Sequence, residues 1–117
     1  SCTLEDDTEL KGRTIIRFAY MNIEQPVSTW IDMMEAVLKI LHAEDKSVLF
    51  KLAYTQDASN ELSAYVSNTP DNLRTAMKID ENIYVEQNNS TATKISMLRK
   101  FFKAYGADTE DLVFYLR

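Results

Sequence analysis

The stretch from Ile83 to Leu116 constrains this chain most, because local signals mark every junction of a strand, a loop, a helix and a second strand. Ile83-Tyr84-Val85-Glu86 is short, β-branched and aromatic, which suits a strand. Gln87 to Thr91 is polar and suits a loop with Ser90 as the helix N-cap. From Thr91 to Tyr105 the apolar residues Ile95, Leu98, Phe102 and Tyr105 recur at helical spacing. Gly106 supplies a C-terminal stop, and Leu112 to Leu116 reads as a strand.

The chain before this unit is read around it. Residues 1 to 11 carry Glu5, Asp6, Asp7 and Glu9 and read as an acidic lead-in or linker. Residues 12 to 117 then form one domain. Arg13 to Tyr20 is β-rich, with Ile16, Phe18 and Tyr20 expected on one face and Ile15 and Arg17 on the other. Asn22 suits a turn, and Ile23 to Val27 a returning strand that Pro26 confines to an edge. Ser28 or Thr29 caps a helix whose stripe is Trp30, Met34, Val37 and Leu41, widened by Met33, Leu38 and Ile40. Val48, Leu49, Leu52 and Ala53 predict a shorter second helix. Residues 55 to 62 read as a loop, and Leu62 to Ser67 as either a short strand or an extended connector. Asn68-Thr69-Pro70-Asp71 is a turn signal, with one helical turn expected over Asp71 to Met77. The order of elements predicts an α+β fold: a small, largely antiparallel sheet with two or three helices packed on one face.

Composition narrows the function classes. The chain has 117 residues, 45% of them hydrophobic, which is enough for a core without disulfides. Its net charge is −5, so nucleic acid could be held only through a local basic patch. Cys2 is the only cysteine, which leaves no internal disulfide and no cysteine-based metal site. No apolar run approaches the ~18 residues of a membrane span, and there is no signal-peptide pattern.

The chemistry-bearing residues form no recognisable catalytic constellation, and neither a catalytic set, a metal site nor a cofactor is expected. His42, the only histidine, reads as a surface residue or one at the C-terminal end of the first helix. Gly12 and Gly106 are the only glycines, so no phosphate-binding glycine loop exists. Two candidate sites remain. Asn88, Ser90 and Thr91 stand where a strand ends and a helix begins, and with Arg74 they could hold a phosphate or carboxylate. Arg99, Lys100 and Lys103 project together opposite Leu98 and Phe102, as a solvated helix face or a basic contact surface.

Three runs carry a family resemblance: Trp30-Ile31-Asp32-Met33-Met34, Val66-Ser67-Asn68-Thr69-Pro70-Asp71-Asn72-Leu73-Arg74, and Ile83-Tyr84-Val85-Glu86-Gln87-Asn88-Asn89-Ser90-Thr91. With the Tyr105-Gly106-Ala107-Asp108 ending, they resemble the small C-terminal domains appended to bacterial restriction-system and phage-defence proteins, including those with a ParB-like nuclease domain. The similarity covers roughly residues 12 to 117. Thr29 stands where that family usually has Ser, Thr69 intervenes between Asn68 and Pro70, and Gln87 and Asn89 replace Thr and Leu. The resemblance implies a cytoplasmic accessory domain of a larger protein, without an activity of its own to transfer.

The expected function is a non-catalytic recognition or interaction module of a bacterial nucleic-acid-processing or defence protein. Its partners would be other domains of the same protein, a separate protein, or a second copy in a homo-oligomer, with no membrane. The rival readings are a small hydrolase or nucleotide-modifying enzyme using the Asn88–Ser90 loop, and a self-associating structural domain.

Overall fold

The computed structural model describes residues 1–6, 10, 12–55 and 57–117. Asp7 and Glu9 of the acidic lead-in, and Gln56 of the loop over residues 55 to 62, lie outside the described residues. The fold is α+β, and its strands divide into two antiparallel sheets rather than one. The chain falls into two compact units, residues 1–37 with 90–117 and residues 38–89.

The first unit holds a four-stranded sheet of order β1-β7-β2-β3: β1 (Cys2–Thr3), β2 (Ile15–Tyr20), β3 (Ile23–Pro26) and β7 (Leu112–Leu116). β2 and β7 pair with Phe18 opposite Phe114 and Tyr20 opposite Leu112, and all four side chains are buried. Helix α1 (Trp30–Glu44) begins here and runs on into the second unit. Its start is capped by Thr29, whose Oγ1 accepts the Asp32 N–H at 3.0 Å. Trp30 meets Phe114 edge-on at 5.4 Å between ring centroids, and its Nε1 donates to the Arg13 carbonyl. Helix α3 (Thr91–Tyr105) buries Ile95, Met97, Leu98, Phe101 and Phe102, and Phe102 meets Tyr20 edge-on at 5.6 Å. Gly106 ends α3 at φ 70°, a left-handed conformation that a residue with a Cβ adopts only under strain.

The second unit holds a three-stranded sheet of order β4-β6-β5: β4 (Val66–Ser67), β5 (Ala76–Asp80) and β6 (Ile83–Glu86). Helix α2 (Ser47–Tyr54) packs on β4 and β6 through Leu49, Leu52 and Ala53. Single 3-10 turns at Glu61–Ala64 and Pro70–Asn72 lead into β4 and β5. The buried residues Leu38, Leu41, Leu62, Met77, Ile79, Ile83 and Val85 complete the unit's core.

Four expectations change. Cys2 and Leu4 are buried, and Cys2 and Thr3 pair with Phe114 and Val113, so the lead-in opens as an edge strand. Ile16 does not share a face with Phe18 and Tyr20. The β2–β7 register shifts between Ile15 and Arg17, leaving Ile16 at 41% exposure and turning Ile15 inward. One extra residue in a strand inverts the alternation beyond it. The helical turn expected over Asp71 to Met77 is a 3-10 turn at Pro70–Asn72 followed by β5. Met77 and Ile79 alternate with Lys78 and Asp80 there, a strand period, and Asn82 at φ 58° closes the hairpin onto β6. His42 stands in the last turn of α1, one of the two places expected for it, and is buried there rather than on the surface. Among the described residues no helix is long and apolar enough to cross a membrane.

Candidate functional site

Glu86, at the end of β6, is the centre of a polar cluster in the second unit. Its side chain is 6% exposed. One carboxylate oxygen accepts the Arg74 N–H at 2.7 Å. The other accepts the N–H groups of Thr75 at 2.9 Å and Asn88 at 3.1 Å. Burial alone would push this carboxyl upward, but the N–H donors of Thr75, Arg74 and Asn88, with the Arg74 charge, hold it below its usual range. The anion is thus a clasp. It ties the end of the Asn68–Arg74 segment to the junction after β6, which are two of the runs that carried the family resemblance.

This places the expected anion-site residues. Arg74 and Asn88 are brought together, but their main-chain N–H groups already hold the protein's own carboxylate. Ser90 and Thr91 belong to the first turn of α3. The Ser90 Oγ accepts the Thr93 N–H at 3.1 Å, as an N-cap does. Ser90→Ala should therefore lower stability by about 1 kcal/mol in a urea titration, and an unchanged midpoint would show that the cap is idle.

His42 and Asp80 make the second polar contact that the sequence did not announce. His42 is 5% exposed, near the end of α1, and its Nε2 lies 2.9 Å from Asp80 Oδ2. The other Asp80 oxygen accepts the Glu81 N–H at 2.8 Å. The His42 bond, the Glu81 N–H and the nearby positive charge of Lys46 hold the Asp80 carboxyl below its usual range. The pair secures the β5–β6 turn to the end of α1. No signal in the sequence links residues 42 and 80, because their pairing depends on how the chain returns.

Of the expected basic face, Arg99 is partly engaged. Its Nε donates to the Leu4 carbonyl at 2.6 Å, which ties α3 to the segment after β1. Lys103 is exposed and Lys100 half-buried. Among the described residues no group of three His, Cys, Asp or Glu side chains gathers as a metal site would require.

The surface feature that the sequence reading missed lies on α2. Phe50 and Tyr54, four residues apart, stack at 4.7 Å with 29° between their planes. They remain 57% and 47% exposed. Lys46, Phe50 and Tyr54 follow one ridge of the helix, and Lys51 lies beside it. Beyond the end of α2, Asp57, Ala58, Asn60, Glu61, Ser63 and Ala64 line a shallow pocket of about 370 Å³. Asp57 is kept ionised there, since the Ser59 hydroxyl and N–H both donate to it and lower its pKa. The helical spacing of Phe50 and Tyr54 was legible, but their exposure was not. No family model, curated protein or solved structure matches this chain.

Proposed function

We propose that this chain is a non-catalytic recognition or interaction module of a larger bacterial nucleic-acid-processing or defence protein. The observation that carries the recognition role is the stacked, exposed Phe50–Tyr54 pair on α2. Aromatic rings left in water lose the apolar burial that rings obtain in cores and interfaces, and such rings are typical anchors of binding surfaces. The bacterial setting and a cytoplasmic location rest on the resemblance of the Trp30, Asn68–Arg74 and Ile83–Thr91 runs. A hydrolase using the Asn88–Ser90 loop has less support, because the Glu86 carboxylate is engaged by three N–H groups and the Ser90 hydroxyl caps α3.

The test is the variant with Phe50→Ser and Tyr54→Ser. Neither ring is buried, so the fold should lose about 1 kcal/mol or less. The protein that carries this chain should nevertheless lose its biological activity. Full activity in that variant, or turnover of nucleotides or nucleic acid by the purified chain, would overturn the reading.

A further inference from the structure

We propose that residues 68–75, which join β4 to β5, form a strap that lifts off the three-stranded sheet as a unit while the sheet itself stays folded. β4 and β5 flank β6 and both run antiparallel to it, so they run parallel to each other. The chain must therefore leave β4 at Ser67 and come back across β6 to begin β5 at Ala76. Strand alternation sets Ser67, Tyr84 and Glu86 on one face of this sheet, and Val66, Met77 and Val85 on the other, which is the core face. The strap is bonded to the first face. The Ser67 Oγ accepts the Thr69 N–H at 3.2 Å and the Asn72 Nδ2 at 3.3 Å. The Glu86 carboxylate accepts the Arg74 and Thr75 N–H groups.

The two sides of this contact are unequal. Ser67 and Glu86 are buried, but none of residues 68–75 is. Leu73 is half-buried and Pro70 exposed, so the apolar burial that fixes the strands contributes little to the strap. Hydrogen bonds hold it instead, and water can replace each of them when it lifts. Removing β4 or β5 from β6, by contrast, would open the core at Val66, Met77 and Val85. A segment with few buried apolar contacts and exposed backbone hydrogen bonds is the kind that opens locally. Glu86 is the pin, because an anion binds N–H donors more strongly than a neutral acceptor does. Lifting the strap bares Ser67, Tyr84 and Glu86 together. The closed form therefore withholds one polar face of the sheet, and the open form offers it.

Amide hydrogen exchange of the purified chain at neutral pH, read residue by residue, tests this. Relative to unstructured peptide, the Arg74 and Thr75 N–H groups should exchange about 100-fold faster than those of Met77 and Val85, which face each other in the β5–β6 ladder. Two variants separate lifting of the strap from unfolding of the sheet. Ile83→Val trims the core, which the lifted form keeps. It should speed Met77 and Val85 about fivefold and leave Arg74 and Thr75 unchanged. Glu86→Gln weakens only the closed form, from which both openings start, so it should speed both pairs about tenfold. Equal protection of the two pairs overturns the proposal, as does an Arg74 and Thr75 exchange that follows Ile83→Val, since the strap would then leave only with the sheet. An Arg74 and Thr75 exchange indifferent to Glu86→Gln overturns it too, because the carboxylate would not be the pin.

Discussion

Glu86→Ala should remove about 3 kcal/mol of stability, the larger part of what a marginal domain has to lose. Three main-chain N–H groups now end on this carboxylate. Each hydrogen bond to a charged acceptor is worth about 1.5–3 kcal/mol when its partner is removed. Arg74, Thr75 and Asn88 are exposed enough for water to replace part of the loss, which favours the lower end. The dependence on pH follows from the lowered pKa. The folded state holds Glu86 below the ordinary glutamate value of about 4.3, so its contribution is complete above that pH. It is lost as the pH falls through the folded-state pKa. Urea midpoints at neutral pH and in acid would measure both effects. Glu86→Gln should flatten the acid limb, because an amide has no charge to lose there. A midpoint that Glu86→Ala leaves unmoved at neutral pH would sink the clasp.

The other large effect belongs to the first unit. Phe114→Ala should cost about 3–5 kcal/mol, a large share of the ~5–15 kcal/mol that a folded domain typically has. The ring is fully buried at the centre of the four-stranded sheet. It stands opposite Phe18 in β2 and Cys2 in β1, and the Trp30 indole packs edge-on against it. Truncation therefore opens a cavity walled by two other aromatic rings, which pack too rigidly to close it. Phe114→Leu, which retains most of the volume, should recover more than half of the loss. Near-ultraviolet circular dichroism of the Trp30 band would report the change directly. A native band in Phe114→Ala would mean that the indole is held by its bond to the Arg13 carbonyl alone.

How far the sequence alone reaches is clearest around α3. Ser90, Thr91, Tyr105 and Gly106 mark its ends within a few residues of chain, since a cap and a left-handed stop act on neighbouring N–H and carbonyl groups. The same locality made α1 and α2 and the strands at Ile83 and Leu112 legible, and the α+β class follows from their order. Strand partnership is not local. A strand's alternation says which face is apolar but not which edge it will meet, so the division into two sheets came only with the tertiary structure. The inversion at Ile16 did too, because the register shift exists only against β7.

The candidate site divides in the same way. Ser90 as a cap was readable, and so was the polar junction after β6. What occupies that junction was not: Glu86 looked like the last residue of a strand, and its role depends on Arg74 and Thr75 returning beside it. His42 likewise looked like the polar end of a helix until Asp80 arrived from a hairpin 38 residues later. Phe50 and Tyr54 carried helical spacing, but whether a ring is covered depends on which elements pack nearby. α2 turns Leu49, Leu52 and Ala53 toward β4 and β6 and leaves the aromatic ridge in water. Burial and long-range pairing belong to the assembled chain, whereas capping, turns and periodicity belong to its neighbours in sequence.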